Sequence, residues 1–330
     1  MAKLCVVLAT YNGEKYLSQM LDSLVAQTLQ ADKIIVVDDG SRDSSVEILR
    51  SYSSKLPLEI FVSPKNQGHR AAFSKALEMA REAFAPSGEL FQESSDGYIV
   101  LADQDDIWLP NKHELLVRDI ESSDPSGILP DMVFGDAQVI DGENNLMGTS
   151  WRKMDGIPEK LSLRAIMTGF TNVTGCMVLF RASLLDRVLP IPVDVPVHDQ
   201  WITFCAAARN GYRSIKDPVI QYRIHGQNAI GLGHSQTWTG NLRLNLQWAK
   251  MLRETPHYRN LKSSDQKFLN TYITYVEKRL RKYFLPGFLI WVAKNASSLF
   301  PHVNGIFGML PRVIYGIVGA PFATKFLGKS

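Results

Sequence analysis

Cysteine is scarce: the 330 residues contain three, Cys5, Cys176 and Cys205, with no CxxC pairing. Isolated thiols inside apolar runs exclude a disulfide framework and a cysteine zinc site, and they predict reduced core side chains. Long apolar runs are missing as well. Residues 286–327 are apolar, but Pro286, Pro301, Pro311 and Pro321 interrupt them and Lys294, Arg312 and Lys325 stand between. That leaves no stretch of the ~18 apolar residues a membrane-spanning helix needs. The stretch Met1 to Thr10 lacks the basic region, long apolar core and cleavage site of a secretory signal, so a cytoplasmic location is expected. Internal repeats, a G-x-S-x-G elbow and a catalytic-cysteine signature are also lacking, which argues against a covalent serine or cysteine nucleophile. Acid is absent from one end: eight Lys or Arg and no Asp or Glu follow from Lys278 to Ser330. The rest of the chain is therefore net acidic although the whole carries +3, and the C-terminus is the partner-seeking basic end.

What is present is ordinary globular composition, 45% hydrophobic and 21% charged, enough for one large domain or two modest ones. The first part alternates short apolar runs with helical patterns, which predicts an α/β domain with a parallel sheet. Strands are expected at Leu4–Thr10, Lys33–Asp38, Leu58–Val62, Tyr98–Ala102, Met132–Ile140, Thr174–Phe180 and Ile215–Tyr222. Helices are expected from Tyr16 to Val25, near Ser44–Tyr52, from Gly68 to about Ala83, after Pro110, and near Asp199–Asn210. The segment Ala85–Asp96 reads as an exposed loop. From about Gly240 only helical patterns remain, one through Leu242, Leu246, Ala249 and Met251 and another through Phe268, Tyr272, Tyr275 and Leu280. Ser263-Ser-Asp-Gln266 reads as a capping box for the latter. The expected division is a catalytic domain at 1–235 and a helical, basic extension at 236–330.

In an open α/β sheet the loops after the strands form the ligand crevice. Four such places carry polar residues: Thr10-Tyr11-Asn12-Gly13, Asp38-Asp39-Gly40-Ser41, Asp103-Gln104-Asp105-Asp106 and Tyr222-Arg223-Ile224-His225. The second has two readings. It is either a turn with a helix cap at Ser41 or Asp43, or a carboxylate that accepts hydrogen bonds from a base or ribose. The third places three carboxylates within four residues, where repulsion is costly unless a cation is shared; the alternative is a solvated turn. Hard oxygen ligands suit Mg²⁺ or Mn²⁺ bridging a diphosphate. His225 is open to two readings, a hydrogen-bonded histidine or a metal ligand. Asp199 is either a first-turn acid stabilised by the helix dipole or a general base.

Taken together, Val7-Leu-Ala-Thr-Tyr-Asn-Gly13, Ile35-Val-Val-Asp-Asp-Gly-Ser41, Leu101-Ala-Asp-Gln-Asp-Asp-Ile-Trp108, Asn172-Val-Thr-Gly175, His198-Asp-Gln-Trp201 and Tyr222-Arg-Ile-His-Gly-Gln-Asn228 resemble family 2 glycosyltransferases of the GT-A fold, over most of residues 1–235. Within that family they look most like bacterial polysaccharide rhamnosyltransferases that use dTDP-L-rhamnose. The resemblance implies a Rossmann-like nucleotide-diphospho-sugar domain. It assigns Thr10, Tyr11 and Asp39 to the nucleotide, Asp103 to the ribose side, Asp105 and His225 to the metal, and Asp199 to the base of a single inverting displacement. Arg70 is placed to reach a donor phosphate or base, while Asp106, Trp108, Gly175 and Trp201 are expected in the donor or acceptor pocket.

The implied partners are a nucleotide-diphosphate sugar and a glycan or lipid-linked acceptor, with no nucleic acid. Trp291, Phe300, Phe307, Tyr315 and Phe322 are expected to dip into the headgroups of an anionic membrane, which would put the protein at the inner face of the cytoplasmic membrane. The alternative is helices packed on the catalytic domain or in an oligomer. Other readings of the whole are a transferase using a UDP-sugar, a nucleotidyltransferase, for which Thr10-Tyr11-Asn12-Gly13-Glu14 is a poor phosphate loop, and a non-catalytic binding scaffold.

Overall fold

The computed structural model describes residues 2–91, 96–226, 238–282, 284–302, 312–313 and 316–317. Gln227 and Asn228 of the last motif, Phe307, Tyr315, Phe322, Lys325 and part of the Ala85–Asp96 loop lie outside the described residues. Chain contacts define two compact units. One comprises residues 1–155, 173–191 and 197–229, and the other 156–172, 192–196 and 230–330. Segments 156–172 and 192–196, counted with the catalytic part in sequence, thus pack with the helical part.

Among its described residues the first unit is built on nine strands: β1 Leu4–Thr10, β2 Lys33–Asp38, β3 Leu58–Val62, β4 Tyr98–Ala102, β5 Ile107–Trp108, β6 Met132–Ile140, β7 Leu146–Gly148, β8 Val178–Arg181 and β9 Tyr212–Arg223. They pair in the order β3-β2-β1-β4-β8-β6-β9-β5, with β7 on β6. The β3-β2-β1-β4 half is parallel, whereas β8 runs antiparallel to both β4 and β6. Every residue of β4 and nearly every residue of β1 and β2 is buried, as continuous apolar runs in a helix-covered parallel sheet must be. In register, Thr10 pairs with Asp38, and Leu8 with Ala102, so the chain leaves three adjacent strands on the same edge. The helix His69–Phe84 presents Ala72, Phe73, Ala76, Leu77, Ala80 and Ala83 to this sheet at helical spacing. The expected strand at Thr174–Phe180 is shorter: Gly175–Met177 forms a 3₁₀ turn and β8 begins at Val178.

The second unit is helical. Its long helices, Trp238–Glu254 and Ser263–Arg281, are joined by Pro256–Arg259 and accompanied by Leu163–Met167, Leu289–Lys294 and Ala296–Leu299. Trp248 donates to the Ile166 carbonyl at 2.8 Å and the Tyr272 hydroxyl to that of Thr168 at 3.0 Å. The expected capping box does not form. Helix 263–281 starts at Ser263 itself, with Lys262 at the cap position and no side-chain cap, while Asp265 pairs with Arg164 at 2.7 Å. Trp291 is likewise engaged internally, its ring centroid 5.3 Å from that of Tyr275 and 5.6 Å from that of Phe268. Its apolar area is spent on that aromatic cluster rather than offered to headgroups.

Candidate active site

Gln104 ties the end of β4 to the end of β1. Its side-chain oxygen accepts from the Thr10 hydroxyl at 2.6 Å and the Tyr11 amide at 2.8 Å, and its amide donates to the Tyr11 carbonyl at 3.2 Å. A Cβ on Gly13 would stand 2.5 Å from the Gln104 oxygen, so a side chain there would displace the Gln104 clamp. Thr10 is buried beneath this clamp and Tyr11 is exposed above it.

After β2 the two neighbouring aspartates divide the labour. Asp38 serves its own turn, accepting from the Gly40 and Ser41 amides at 3.1 and 2.9 Å and from the Ser41 hydroxyl. Asp43 takes the Ser45 amide at the start of the next helix. The turn reading thus holds for Asp38, whereas the cap does not form: Ser44 stands at the cap position of helix Ser45–Ser51 with no side-chain cap, and Asp43 accepts from the Ser45 and Glu14 amides instead. Asp39 instead faces the third loop, where its carboxylate accepts from the amides of Gln67 and Gly68, the latter at 2.7 Å. Gly68 has φ +89°, a left-handed conformation that suits glycine, and it turns the chain into the helix that carries exposed Arg70.

The acid cluster follows β4. Asp105 Oδ2 lies 2.9 Å from His225 Nε2, joining groups 120 residues apart, and the Tyr16 ring packs on the imidazole at 4.9 Å. Asp106 is 1% exposed; one of its oxygens accepts from the Arg223 amide at 3.0 Å, and the other is buried without a partner. The ligand atoms of Asp103, Asp106 and Cys176 lie within 4.8 Å of one another. Burial, then repulsion from Asp105 and Asp199, pushes the Asp103 carboxyl up to about 7; burial and its acidic neighbours hold Asp106 well above the ordinary range. A carboxylate and an imidazole in contact, with crowded oxygens beside them and one unsatisfied, form a donor set that fits a hard divalent cation.

Two buried cations sit under this cluster, and neither was singled out in sequence. Lys112 is 0% exposed; its ammonium donates to the Cys176 carbonyl at 2.6 Å and stands 3.1 Å from the Trp108 ring centroid. Burial pushes it down to about 7. Arg223, also 0% exposed, donates to the Asp105 carbonyl at 2.7 Å, to Gln19 at 2.8 Å, to the Asp141 carbonyl at 3.2 Å and to Asn144. The available signal for Lys112 was its place at i, i+4, i+8 with Leu116 and Ile120 on a buried helix face.

Asp199 is the second residue of the helix His198–Ala207, with Val197 at the cap. Its two oxygens accept from the Gly175 amide at 3.1 Å and the Gln200 amide at 2.6 Å. Burial nonetheless pushes it up to about 6. His198 beside it stacks on Phe73 at 3.8 Å, has two buried ring nitrogens without partners, and is pushed down to about 3 by burial. Gly175 packs against both: a Cβ there would stand 3.2 Å from His198 Nε2 and 3.6 Å from Asp199 Cβ. Two expected pocket residues prove to be core instead. Trp108 is 2% exposed under Lys112, and Trp201 is 1% exposed with its indole N–H given to the Val188 carbonyl at 2.8 Å.

An open sheet that brings the ends of β1, β2 and β4 together beside a carboxylate–imidazole pair defines the GT-A class of transferase fold. The chain belongs to Glycosyl transferase family 2, whose sequence profile matches residues 5–189. It is 28% identical over 233 residues to an uncharacterized glycosyltransferase of Nostoc sp., covering 68% of this chain and 66% of that protein, so it spans just under two thirds of that relative's length. Among solved structures, residues 1–349 of S. aureus TarS in complex with UDP-GlcNAc are similar at TM-score 0.57 and 18% identity, covering 96% of this chain and 84% of that one. A mannosyltransferase from Pyrobaculum calidifontis in complex with GDP-Man and Mn²⁺ is similar at TM-score 0.50 and 18% identity, covering 98% and 87%. Both likenesses concern the fold.

Proposed function

We propose that the chain is an inverting, metal-dependent glycosyltransferase that moves a sugar from a nucleotide-diphosphate donor, with dTDP-L-rhamnose the first candidate and a UDP-sugar the second, onto a lipid-linked surface glycan at the inner face of the cytoplasmic membrane. The observation that carries the reading is the contact of Asp105 with His225 at 2.9 Å beside the partnerless Asp106 oxygen. Asp105 and His225 would hold the cation, Mg²⁺ or Mn²⁺; when bound, it neutralises charge on the departing diphosphate. Thr10, Tyr11 and Asp39 would bind the nucleotide from the clamped loops, Asp103 the ribose, and Arg70 a donor phosphate.

Asp199 is the base. Its carboxylate takes the proton of the acceptor hydroxyl as that oxygen bonds to the anomeric carbon and the bond to the diphosphate breaks, a role worth about 10²–10⁴-fold. Burial raises its proton affinity toward neutral pH, where a base works best, and the two amide bonds hold its oxygens in place. The UDP-GlcNAc complex of the similar TarS structure supports keeping a UDP-sugar in view.

The test is a screen of nucleotide sugars by thermal shift with Mn²⁺, followed by turnover on extracted lipid-linked glycan. Asp105→Ala should abolish transfer and Asp199→Asn should lower it by about 10²–10⁴-fold, each with the fold intact. Turnover at the wild-type level in either variant removes that residue from the mechanism. A shift with dTDP-rhamnose no larger than with UDP-sugars ends the rhamnosyl assignment, and release of pyrophosphate instead of nucleoside diphosphate ends the transferase reading.

A further inference from the structure

We propose that His198 is the positioning residue of the base: its ring, packed between helix His69–Phe84 and the Gly175 turn, sets where Asp199 stands, and it does so by stacking rather than by hydrogen bonding. The inference rests on Asp199 acting as the base. His198 meets two neighbouring elements. His69 and Phe73 lie one turn apart on helix His69–Phe84, and both face the imidazole. The Phe73 ring stacks on it at 3.8 Å with 21° between the planes, and the His69 ring stands at 6.2 Å. At the imidazole edge, Nε2 lies so near Gly175 that a Cβ there would be 3.2 Å away. Phe73 and His198 are both buried.

What the ring touches is what holds the base. His198 and Asp199 are the first two residues of helix His198–Ala207, so a shift of the ring carries the carboxylate with it. Gly175 gives its amide to Asp199 Oδ2 at 3.1 Å. On the other side, helix His69–Phe84 follows Gly68, whose amide Asp39 holds at 2.7 Å, and it carries Arg70 in its first turn. The Phe73–His198 stack is therefore where the loop proposed to bind the donor bears on the base. Hydrogen bonding is not what the ring supplies, because both of its nitrogens are buried without partners. Nor is charge, since burial pushes the imidazole down to about 3. Near-parallel rings in contact favour one spacing and one orientation, whereas an aliphatic side chain fills the space without imposing either.

The test is steady-state transfer by the full chain, using the nucleotide sugar with the largest thermal shift and extracted lipid-linked glycan as acceptor. Donor affinity is measured separately by titration, and folding by circular dichroism and melting temperature. His198→Ala should lower kcat by about 10²-fold, the effect of an ångström-scale misplacement, with donor affinity unchanged. Phe73→Leu keeps apolar bulk and removes the flat partner, so it should lower kcat in the same way by a smaller factor; it decides the question if His198→Ala does not fold. His198→Phe should recover most of the loss. In the Asp199→Asn background His198→Ala should add little, because a residue that acts through the base then has nothing left to place. Wild-type kcat in His198→Ala or in Phe73→Leu overturns the proposal, as does a full additional loss on top of Asp199→Asn. A well-folded His198→Phe that loses as much as His198→Ala also overturns it, because the nitrogens would then be in use. Asp199→Asn at the wild-type level ends the base reading and this one with it, whereas a low Asp199→Asn beside an unaffected His198→Ala ends this one alone.

Discussion

The pH dependence of transfer tests the assignment of Asp199 as base most directly. Burial raises its carboxyl from the ordinary aspartate value to about 6, and only the ionised form can accept the acceptor proton. The group is therefore fully competent above pH 7 and loses competence as pH falls through 6, so kcat/KM should fall about tenfold between pH 7 and pH 5 with a limiting slope of one. Asp103, pushed to about 7 by burial and by Asp105 and Asp199, titrates in the same window. Saturating Mn²⁺ separates the two, because a bound cation favours the ionised cluster and draws the Asp103 limb to lower pH. The assay is initial-rate transfer over pH 5–8 at constant ionic strength, at low and saturating Mn²⁺. With saturating metal the wild-type limb should remain near 6. Asp199→Asn should lie about 10²–10⁴-fold lower and show no such limb. An unchanged limb in Asp199→Asn would refute the assignment, since another group would then set the profile.

Other expectations follow from the same geometry. Gly175→Ala places a Cβ 3.2 Å from His198 Nε2 and beside Asp199, so steady-state kinetics should show kcat/KM down by up to about 10²-fold with little change in melting temperature. Arg223→Ala removes the donor shared by the part-buried Asp105 and Asp141 carbonyls and Gln19 and empties its own buried place; denaturant titration should show a loss of about 1–3 kcal/mol in the unit that holds the sheet. His198 is pushed down to about 3, so only the unfolded state takes up its proton as pH falls below 6.5. Its contribution is present above 6.5 and is lost by about 1.4 kcal/mol per pH unit below it, so His198→Phe should flatten the acid side of a stability–pH curve, measured against wild type.

Continuous apolar runs place β1, β2 and β4 with the expected ends, because such runs satisfy a covered sheet and little else. The largely exposed β3 and β6, which holds Asp136 and Gln138, also have the expected ends. The two-residue β5, hidden inside the acid motif, and the exposed β7 carry no such pattern and were not anticipated. Among the candidate site residues, the polar groups after β1, β2 and β4 could be expected to lie near one another because loops at one edge of a sheet face one crevice. Trp108 and Trp201 were misplaced, since a motif tells that a residue matters without telling which way its ring points.

The sequence by itself determined the alternating architecture and the family to which the chain belongs, and it placed a group of acids at the ends of strands, because strand burial and loop position follow from local pattern. Only the tertiary structure decided which groups meet. It set His225 against Asp105, gave Asp39 to the Gln67 and Gly68 amides, and laid Lys112 and Arg223 beneath the acid cluster. Those contacts depend on sheet order and on which charges lose water together, and neither property is local to any stretch of chain.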